Sequence, residues 1–255
     1  MADLPAIAEI LDEAARTANA VAQISETTPL TSDDAYRVQA LSLERRYARG
    51  ERRVGVKMGL TSRAKMAQVG VDDVVWGRLT SAMRIEEGGH LSRAAFVHPR
   101  IEPEIAFLMK APLSGEVSAM EALAAVEAVA PALEVIDSRY HDFRFDLGDV
   151  IADNASSAGF VIGPPAPVSH DIANLGMVLT VNGHVAETGS SAAIMGHPLR
   201  ALVAAARMVA TAGEELRPGD IVLAGAATAA VPLMPGQAIA LQVEGLGAVA
   251  VNIGD

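Results

Sequence analysis

Residues 100–107 read RIEPEIAF, an apolar stretch that carries two carboxylates. Side chains alternate between the two faces of a β-strand, so Glu102 and Glu104 are predicted to point to the same side. Two like charges on one face of an apolar strand repel each other unless a cation lies between them. Because Pro103 cannot donate a hydrogen bond to a sheet, we expect this stretch at a sheet edge or at the start of a strand.

A third carboxylate lies in a second apolar strand pattern, ALEVI at residues 132–136. Two apolar residues precede Glu134 and two follow it, and a carboxylate there is costly to bury unless it is paired, hydrogen-bonded or bound to metal. Three carboxylates suit a hard cation such as Mg²⁺ or Mn²⁺. On spacing alone the alternative stays open: a solvated strand face with a salt bridge, for example to Arg100 or Arg139.

Other polar groups stand in apolar surroundings farther along the chain. Lys57 lies in VGVKMGLT at residues 54–61, where it is either a surface residue or a buried cation that faces a substrate carboxylate. Asp153 and Ser157 bound the stretch DNASS, which follows an apolar run. These residue types are ordinary in turns, and they also bind ligands at the ends of strands. The chain has neither a G-x-S-x-G nucleophile elbow nor a Walker phosphate loop.

The periodicity of the chain predicts a mixed α+β fold. Helices are expected over residues 3–23, from a cap at Thr31 or Ser32 onward, over 118–129 and over 199–212. Strands are expected over residues 101–109, 132–136, 177–181, 184–187, 221–223, 238–243 and 248–253, with Asn182-Gly183 as a hairpin turn. Residues 1–50 therefore form a predicted helical N-terminal segment before a larger second domain at 51–255.

Composition narrows the possible classes of function. The 255 residues include no cysteine, which excludes a disulfide scaffold, a zinc–thiolate site and thiol catalysis. The formal charge of −11 disfavours nucleic acid and anionic membranes as partners. No stretch of apolar residues is long enough to span a membrane, and the N-terminus lacks the pattern of a signal peptide. We therefore expect a cytoplasmic globular protein.

Five motifs occur in a fixed order: VKMGLTS at 56–62, PRIEPEI at 99–105, LEVIDSR at 133–139, ADNASS at 152–157 and GHPL at 196–199. With them the sequence resembles the hydratase/decarboxylase branch of the fumarylacetoacetate hydrolase superfamily, from about residue 35 to the C-terminus. The resemblance implies a mixed β-sheet/roll fold with an N-terminal helical lead-in. It also implies that residues 51–255 are the metal-binding catalytic domain.

The resemblance assigns roles to particular residues. The metal ligands fall on Glu102, Glu104 and Glu134, and the expected metal is Mg²⁺ or Mn²⁺. The active-site lysine falls on Lys57. Asp153 and Ser157 are expected to support it as hydrogen-bond partners. One departure is the stretch AGAA at residues 224–227, where relatives usually have Thr-Gly-Gly or Thr-Gly-Ala, so the contact made by that threonine is in doubt here.

The resemblance also implies a reaction. The stretches at residues 64–68, 136–140, 190–193 and 228–232 favour decarboxylation of 4-oxalocrotonate (2-oxo-3-hexenedioate) to 2-hydroxypenta-2,4-dienoate and CO₂ in catechol meta-cleavage. The nearest alternative is hydration of 2-hydroxypenta-2,4-dienoate (2-keto-4-pentenoate). Hydrolysis of an acylpyruvate is disfavoured because no His–Glu pair lies near the N-terminal side of the domain. A non-catalytic partner subunit is disfavoured because the metal ligands are intact.

The implied partners are few. The substrate is expected to be a small 2-oxo dicarboxylic acid. The resemblance further implies a homo-oligomer and association with the hydratase of the same pathway.

Overall fold

The computed structural model describes residues 2–62, 66 and 73–255. The described α-helices are α1 (Leu4–Thr17), α2 (Ser32–Ala48), α3 (Ala119–Ala124), α4 (Leu147–Ala152) and α5 (Pro198–Thr211). The described strands up to the middle of the chain are β1 (Arg53–Gly59), β2 (Val75–Thr80), β3 (Arg84–Ile85), β4 (His90–Ser92), β5 (Arg100–Met109), β6 (Val126–Ile136) and β7 (Ser157–Ile162). The later strands are β8 (Ala166–Pro167), β9 (Gly176–Val181), β10 (His184–Ser190), β11 (Ile221–Leu223), β12 (Val231–Pro232), β13 (Ala238–Val243) and β14 (Gly247–Gly254).

Two mixed sheets form the centre of the molecule. The larger has the order β2-β1-β11-β5-β6-β7-β3, with β12 added to β5 and β8 added to β6. The smaller has the order β10-β9-β13-β14-β4. One apolar core joins the sheets, since Leu133 and Val135 of β6 pack in the same cluster as Ile239 and Leu241 of β13. The predicted α+β class is confirmed.

The N-terminal helices differ in part from the prediction. Thr31 caps α2, where its side chain accepts a hydrogen bond from the Asp34 backbone N–H, as expected. The first helix is shorter than predicted. It ends at Thr17, because Ala18 adopts a left-handed conformation (φ 53°) and Val21 then forms a bridge with Tyr140. Ala18 and Val21 continue the helical spacing, but the left-handed backbone of Ala18 and the bridge of Val21 to Tyr140 determine the structure here.

The alanine-rich stretch at residues 118–129 is only partly a helix. Ser118 caps α3, but the helix ends at Ala124 and strand β6 begins at Val126. The predicted helix is therefore wrong in its second half, and the strand predicted from Ala132 begins six residues earlier. Strand β6 is central, and most of its side chains are buried on both faces. Small apolar residues suit a strand that is buried on both faces, so burial overrides the helix preference of alanine.

Pro103 lies inside strand β5, not at an edge or a strand start as predicted. It faces Leu133 of β6 on one side. On the other side β11 pairs with residues 106–108 and β12 with residues 100–101, which leaves a gap at Pro103. The Pro103 carbonyl accepts a hydrogen bond from the Ala227 N–H across this gap, at 2.9 Å. The N–H that proline lacks would point the same way, so its absence breaks no ladder hydrogen bond.

The C-terminal half follows the prediction closely. Asn182-Gly183 connects β9 to β10 as a hairpin, helix α5 ends just before Gly213, and the last two strands are joined through Gly245. No helix in the described part of the chain is long and apolar enough to cross a membrane.

Candidate metal centre

Three glutamates meet on the two central strands of the larger sheet. Glu102 of β5 is directly opposite Glu134 of β6, and Glu104 lies two residues along on the same face. One carboxylate oxygen from each lies within 4.8 Å of the others. All three are buried, with Glu104 and Glu134 at 0% exposure. The long antiparallel pairing of β5 and β6 thus brings three acidic side chains from two strands to one point.

The hydrogen bonds of this cluster are incomplete. The Gly225 N–H donates to Oε2 of Glu104 at 2.7 Å. Oε1 of Glu104 and Oε1 of Glu134 are fully buried and accept no hydrogen bond from the described residues. A Cβ on Gly225 would lie 2.0 Å from the Thr61 hydroxyl, so only glycine brings this backbone N–H so close to the cluster. Gly225 is therefore required for the close approach of this backbone N–H to the cluster.

Among the described residues, Lys57 forms an ion pair with this cluster. Its Nζ lies 3.1 Å from Oε2 of Glu134 and donates a hydrogen bond to the Ala155 carbonyl at 3.0 Å. The side chain is buried, so the surface alternative for Lys57 is wrong. The salt-bridge alternative for Glu134 is also wrong in its partners, because its ion pair forms with Lys57 and not with Arg100 or Arg139.

Burial dominates the proton affinities of the cluster. Burial raises the pKa of Glu104 well above its ordinary value, and the charge of Glu134 raises it further. Burial likewise raises the pKa of Glu134, although the Lys57 ammonium opposes this. Burial alone would lower the pKa of Lys57, but the charges of the three glutamates outweigh burial and raise it. Burial and the repulsion between Glu104 and Glu134 therefore keep the pKa of both carboxyls high even beside the Lys57 ammonium.

These observations fit a divalent cation. The donors are all carboxylate oxygens, which hard cations such as Mg²⁺ prefer. The buried Oε1 atoms that lack hydrogen bonds are free to bind an ion, and a cation would remove the repulsion that raises the pKa of Glu104 and Glu134. Glu102, Glu104 and Glu134 are the residues that would hold it.

Asp153 and Ser157 occupy different surroundings from the glutamates. Asp153 follows helix α4, not a strand, and forms a buried ion pair with Arg139. The Arg139 guanidinium also donates to the carbonyls of Asp153 and Ser157. Burial raises the pKa of Asp153 to about 6 even though Arg139 opposes this. The structure thus brings Lys57 to the glutamates but leaves the Asp153 carboxylate bound to Arg139.

A cavity of about 410 Å³ opens beside the cluster. Lys57, Glu102, Phe143 and Phe145 are among the residues that line it. The Arg100 guanidinium also lines it and stacks over the Phe143 ring, 4.4 Å from the ring centroid. Sequence reasoning missed the two phenylalanines, since they lie in an irregular segment with no periodicity to mark them.

Ser156 is another cavity residue that the sequence did not single out. Its hydroxyl is buried and has no hydrogen-bond partner among the described residues. The Ser157 hydroxyl is also buried and without such a partner, but Ser157 does not line the cavity. The sequence does not distinguish the two adjacent serines, and only the backbone conformation determines which of them lines the cavity.

Comparison with known proteins assigns the family. The model of the family described as fumarylacetoacetate (FAA) hydrolase C-terminal matches residues 51–253. The chain belongs to this family. The fumarylacetoacetate-hydrolase-like fold and the family membership that the motifs predicted are both confirmed.

Individual relatives within this family are similar over nearly the whole chain. A 4-oxalocrotonate decarboxylase from a Pseudomonas species is 56% identical over 241 residues, 94% of this chain and 94% of that protein. A 2-hydroxyhexa-2,4-dienoate hydratase from Comamonas testosteroni is 37% identical over 243 residues, 93% of this chain and 92% of that protein. The solved structure of 4-oxalocrotonate decarboxylase from Pseudomonas putida G7, complexed with magnesium and adipate, has a TM-score of 0.95 at 40% identity and covers 98% of this chain and 97% of that one.

Proposed function

We propose that this chain is a divalent-metal-dependent lyase that decarboxylates 4-oxalocrotonate (2-oxo-3-hexenedioate) to 2-hydroxypenta-2,4-dienoate and CO₂. The observation that carries the proposal is the buried triad of Glu102, Glu104 and Glu134 with Lys57 beside it. The 56% identity to a 4-oxalocrotonate decarboxylase over almost the whole chain supports the choice of substrate. The magnesium and adipate bound to a similar protein support a divalent cation and a six-carbon dicarboxylate.

The reaction breaks one carbon–carbon bond. The distal carboxylate leaves as CO₂, and the electron pair of the broken bond moves through the conjugated chain to the keto oxygen. Protonation of that oxygen gives 2-hydroxypenta-2,4-dienoate. A divalent cation on the three glutamates supplies Lewis-acid stabilisation of negative charge on the 2-oxo acid end.

The protein's own residues contribute in two ways. Lys57 places a buried ammonium beside the carboxylate cluster, where it offsets negative charge that substrate and product bring. The aromatic rings of Phe143 and Phe145 make part of the cavity wall apolar. A carboxylate loses hydration in such surroundings, which favours its departure as neutral CO₂.

The second candidate is hydration of 2-hydroxypenta-2,4-dienoate. The observation in its favour is the 37% identity to a dienoate hydratase over 93% of the chain. The same glutamates and lysine would serve both reactions, because both act on a 2-oxo acid or its enol.

The deciding experiment compares two substrates on one metal-loaded preparation. Purified protein is dialysed against EDTA, reloaded with Mg²⁺ and given either 4-oxalocrotonate or 2-hydroxypenta-2,4-dienoate, with CO₂ and the organic products measured. The proposal expects CO₂ from the first substrate, little turnover of the second and loss of activity in EDTA. Full activity after EDTA dialysis would refute the metal requirement, and turnover of the dienoate alone would establish the hydratase.

We further propose that residues 51–255 form the catalytic domain and residues 1–50 its helical lead-in. We propose that the enzyme works in the cytoplasm as a homo-oligomer and associates with the hydratase of the same pathway. Chemistry supports this association, because the decarboxylase product is the hydratase substrate. Light scattering on the chain alone and mixed with such a hydratase tests both assemblies.

A further inference from the structure

Three consecutive residues between α4 and β7 adopt left-handed backbone conformations. Asn154, Ala155 and Ser156 have φ values of 52°, 51° and 57°. A non-glycine residue in this region is strained, so three in succession need strong support from their surroundings. Such local strain is typical of positions that hold a functional group in place.

The support for this turn comes from several elements. The Asn154 side chain makes two hydrogen bonds to Arg78 of β2, accepting from its N–H at 2.8 Å and donating to its carbonyl at 2.9 Å. The Ser156 carbonyl accepts from the Asp137 N–H, and the Ser156 N–H donates to the Asp153 carbonyl. A Cβ on Gly77 would lie 2.4 Å from the Asn154 carbonyl, so β2 also packs directly on the turn. The turn is fixed at both ends.

The fixed turn presents groups toward the glutamates. The Ala155 carbonyl accepts a hydrogen bond from Lys57 Nζ, the ammonium that lies beside Glu134. The turn is therefore in direct contact with the lysine of the glutamate cluster. Ser156, the next residue, lines the same cavity as Lys57 and Glu102. It is 4% exposed, and its hydroxyl has no hydrogen-bond partner among the described residues. A buried hydroxyl without a partner is costly, and a ligand oxygen would satisfy it.

We propose that Ser156 is a catalytic residue whose hydroxyl donates a hydrogen bond to an oxygen of the 2-oxo acid end of the substrate. This inference rests on the proposed function, because it takes the 2-oxo acid to bind at the three glutamates. Asp153 and Asn154 are then positioning residues, which hold the turn through Arg139 and Arg78. The hydrogen-bonding role that the resemblance implied for Ser157 is then proposed for Ser156 instead.

Two variants of Ser156 separate a ligand contact from a structural role. Ser156→Ala removes the hydroxyl and keeps the Cβ. Ser156→Gly also removes the hydroxyl but relieves the left-handed backbone, so the protein should unfold at no lower temperature than the wild type. The matched control is Ser42→Ala, since Ser42 is a buried serine of helix α2, 5% exposed and outside the cavity.

The measurements are calorimetric titrations of Mg²⁺, and of oxalate and pyruvate into the Mg²⁺-loaded protein, with thermal unfolding of each variant. Both Ser156 variants should bind oxalate and pyruvate about ten- to a hundredfold more weakly, because a hydrogen bond to a charged oxygen is lost. Their Mg²⁺ affinity should stay within about twofold of the wild type. Ser42→Ala should match the wild type in every titration.

Three results would overturn the inference. Oxalate affinity in Ser156→Gly that equals the wild type would show that the hydroxyl does not touch the ligand. A larger loss of oxalate affinity in Ser157→Ala than in Ser156→Ala would show that Ser157, and not Ser156, contacts the ligand. An equal loss of Mg²⁺ and oxalate affinity would show that the turn only supports the glutamates. A wild type that binds neither Mg²⁺ nor oxalate would instead refute the proposed function itself.

Discussion

Two buried ion pairs lie close together in this molecule, and they differ in how completely their charges are satisfied. Arg139 and Asp153 balance one positive against one negative charge, and the guanidinium donates its remaining hydrogen bonds to backbone carbonyls. Lys57 pairs with Glu134, but Glu102 and Glu104 add two further carboxylates at the same place. Both charges of the first pair have a partner, whereas buried carboxylate oxygens of Glu104 and Glu134 accept no hydrogen bond from the described residues and can bind a cation.

The difference separates a structural pair from a binding site. A buried ion pair in which both charges have a partner adds little net stability to the fold, but removal of one partner strongly lowers the free energy of unfolding. An incomplete cluster stores repulsion, which raises the pKa of Glu104 and Glu134 and is relieved when a cation binds. Removal of a charge should therefore have opposite effects on the stability of the metal-free protein at the two places.

Glu104→Gln is expected to have the largest effect. The amide oxygen can still accept the Gly225 hydrogen bond, but the ligand charge is lost. Because metal stabilisation of substrate charge is worth several kcal/mol, activity should fall by about a thousandfold or more. The metal-free variant should unfold at a temperature equal to or above that of the metal-free wild type, since one repelling charge is gone. Turnover, Mg²⁺ titration and thermal unfolding in EDTA measure these effects, and wild-type Mg²⁺ affinity would contradict the ligand assignment.

Lys57→Ala is expected to lower turnover by about a hundredfold or more, because a buried, preorganised cation beside the reacting acid is lost. Its Nζ also holds the Ala155 carbonyl, so circular dichroism and Mg²⁺ titration must show that fold and metal site persist. The matched control is Lys110→Ala, because Lys110 is exposed and its side chain forms no hydrogen bond or salt bridge with the described residues. Unchanged turnover in Lys57→Ala would show that this lysine has no role in catalysis.

Arg139→Met should destabilise the fold by about 3–5 kcal/mol, since it leaves the Asp153 carboxylate buried without its partner. Urea unfolding in EDTA measures this cost. The double variant Arg139→Met with Asp153→Asn should recover a large part of it, because no unpaired charge remains. A cost below about 1 kcal/mol would show that the pair resembles an exposed one and would break the contrast with the glutamate cluster.

The cluster should also make metal binding depend on pH. The pKa of Glu104 and Glu134 is raised in the folded protein, so their contribution to the stability of the metal-free fold is present at low pH and is lost as pH rises through the raised values. Mg²⁺ binds only the ionised carboxylates and displaces their protons. The rise in Tm caused by Mg²⁺ should therefore be small at acidic pH and should grow as pH rises above the ordinary titration range of glutamate. A shift in Tm that is independent of pH would contradict the raised pKa values.

The sequence predicted the parts of the site that depend on regular structure. Alternation along a strand placed Glu102 and Glu104 on one face, and the apolar surroundings of Glu134 indicated a buried charge. It did not predict the residues that depend on irregular backbone. Ser156 and Phe143 both lie at left-handed positions, which no periodic pattern marks. The helix predicted across residues 118–129 was wrong in its second half for a related reason, since the burial of β6 depends on its pairing with distant parts of the chain.

The smallest expected effect comes from an exposed ion pair on helix α2. Arg37 lies 3.4 Å from Asp34, and its side chain is 72% exposed. Water and salt screen such a pair, so Arg37→Ala should change the free energy of unfolding by less than about 0.5 kcal/mol. Urea unfolding at low and high salt, beside Arg139→Met, checks this expectation. A cost in Arg37→Ala close to that of Arg139→Met would mean that burial does not distinguish the ion pairs of this protein, and the contrast between its satisfied and unsatisfied charges would lose its physical basis.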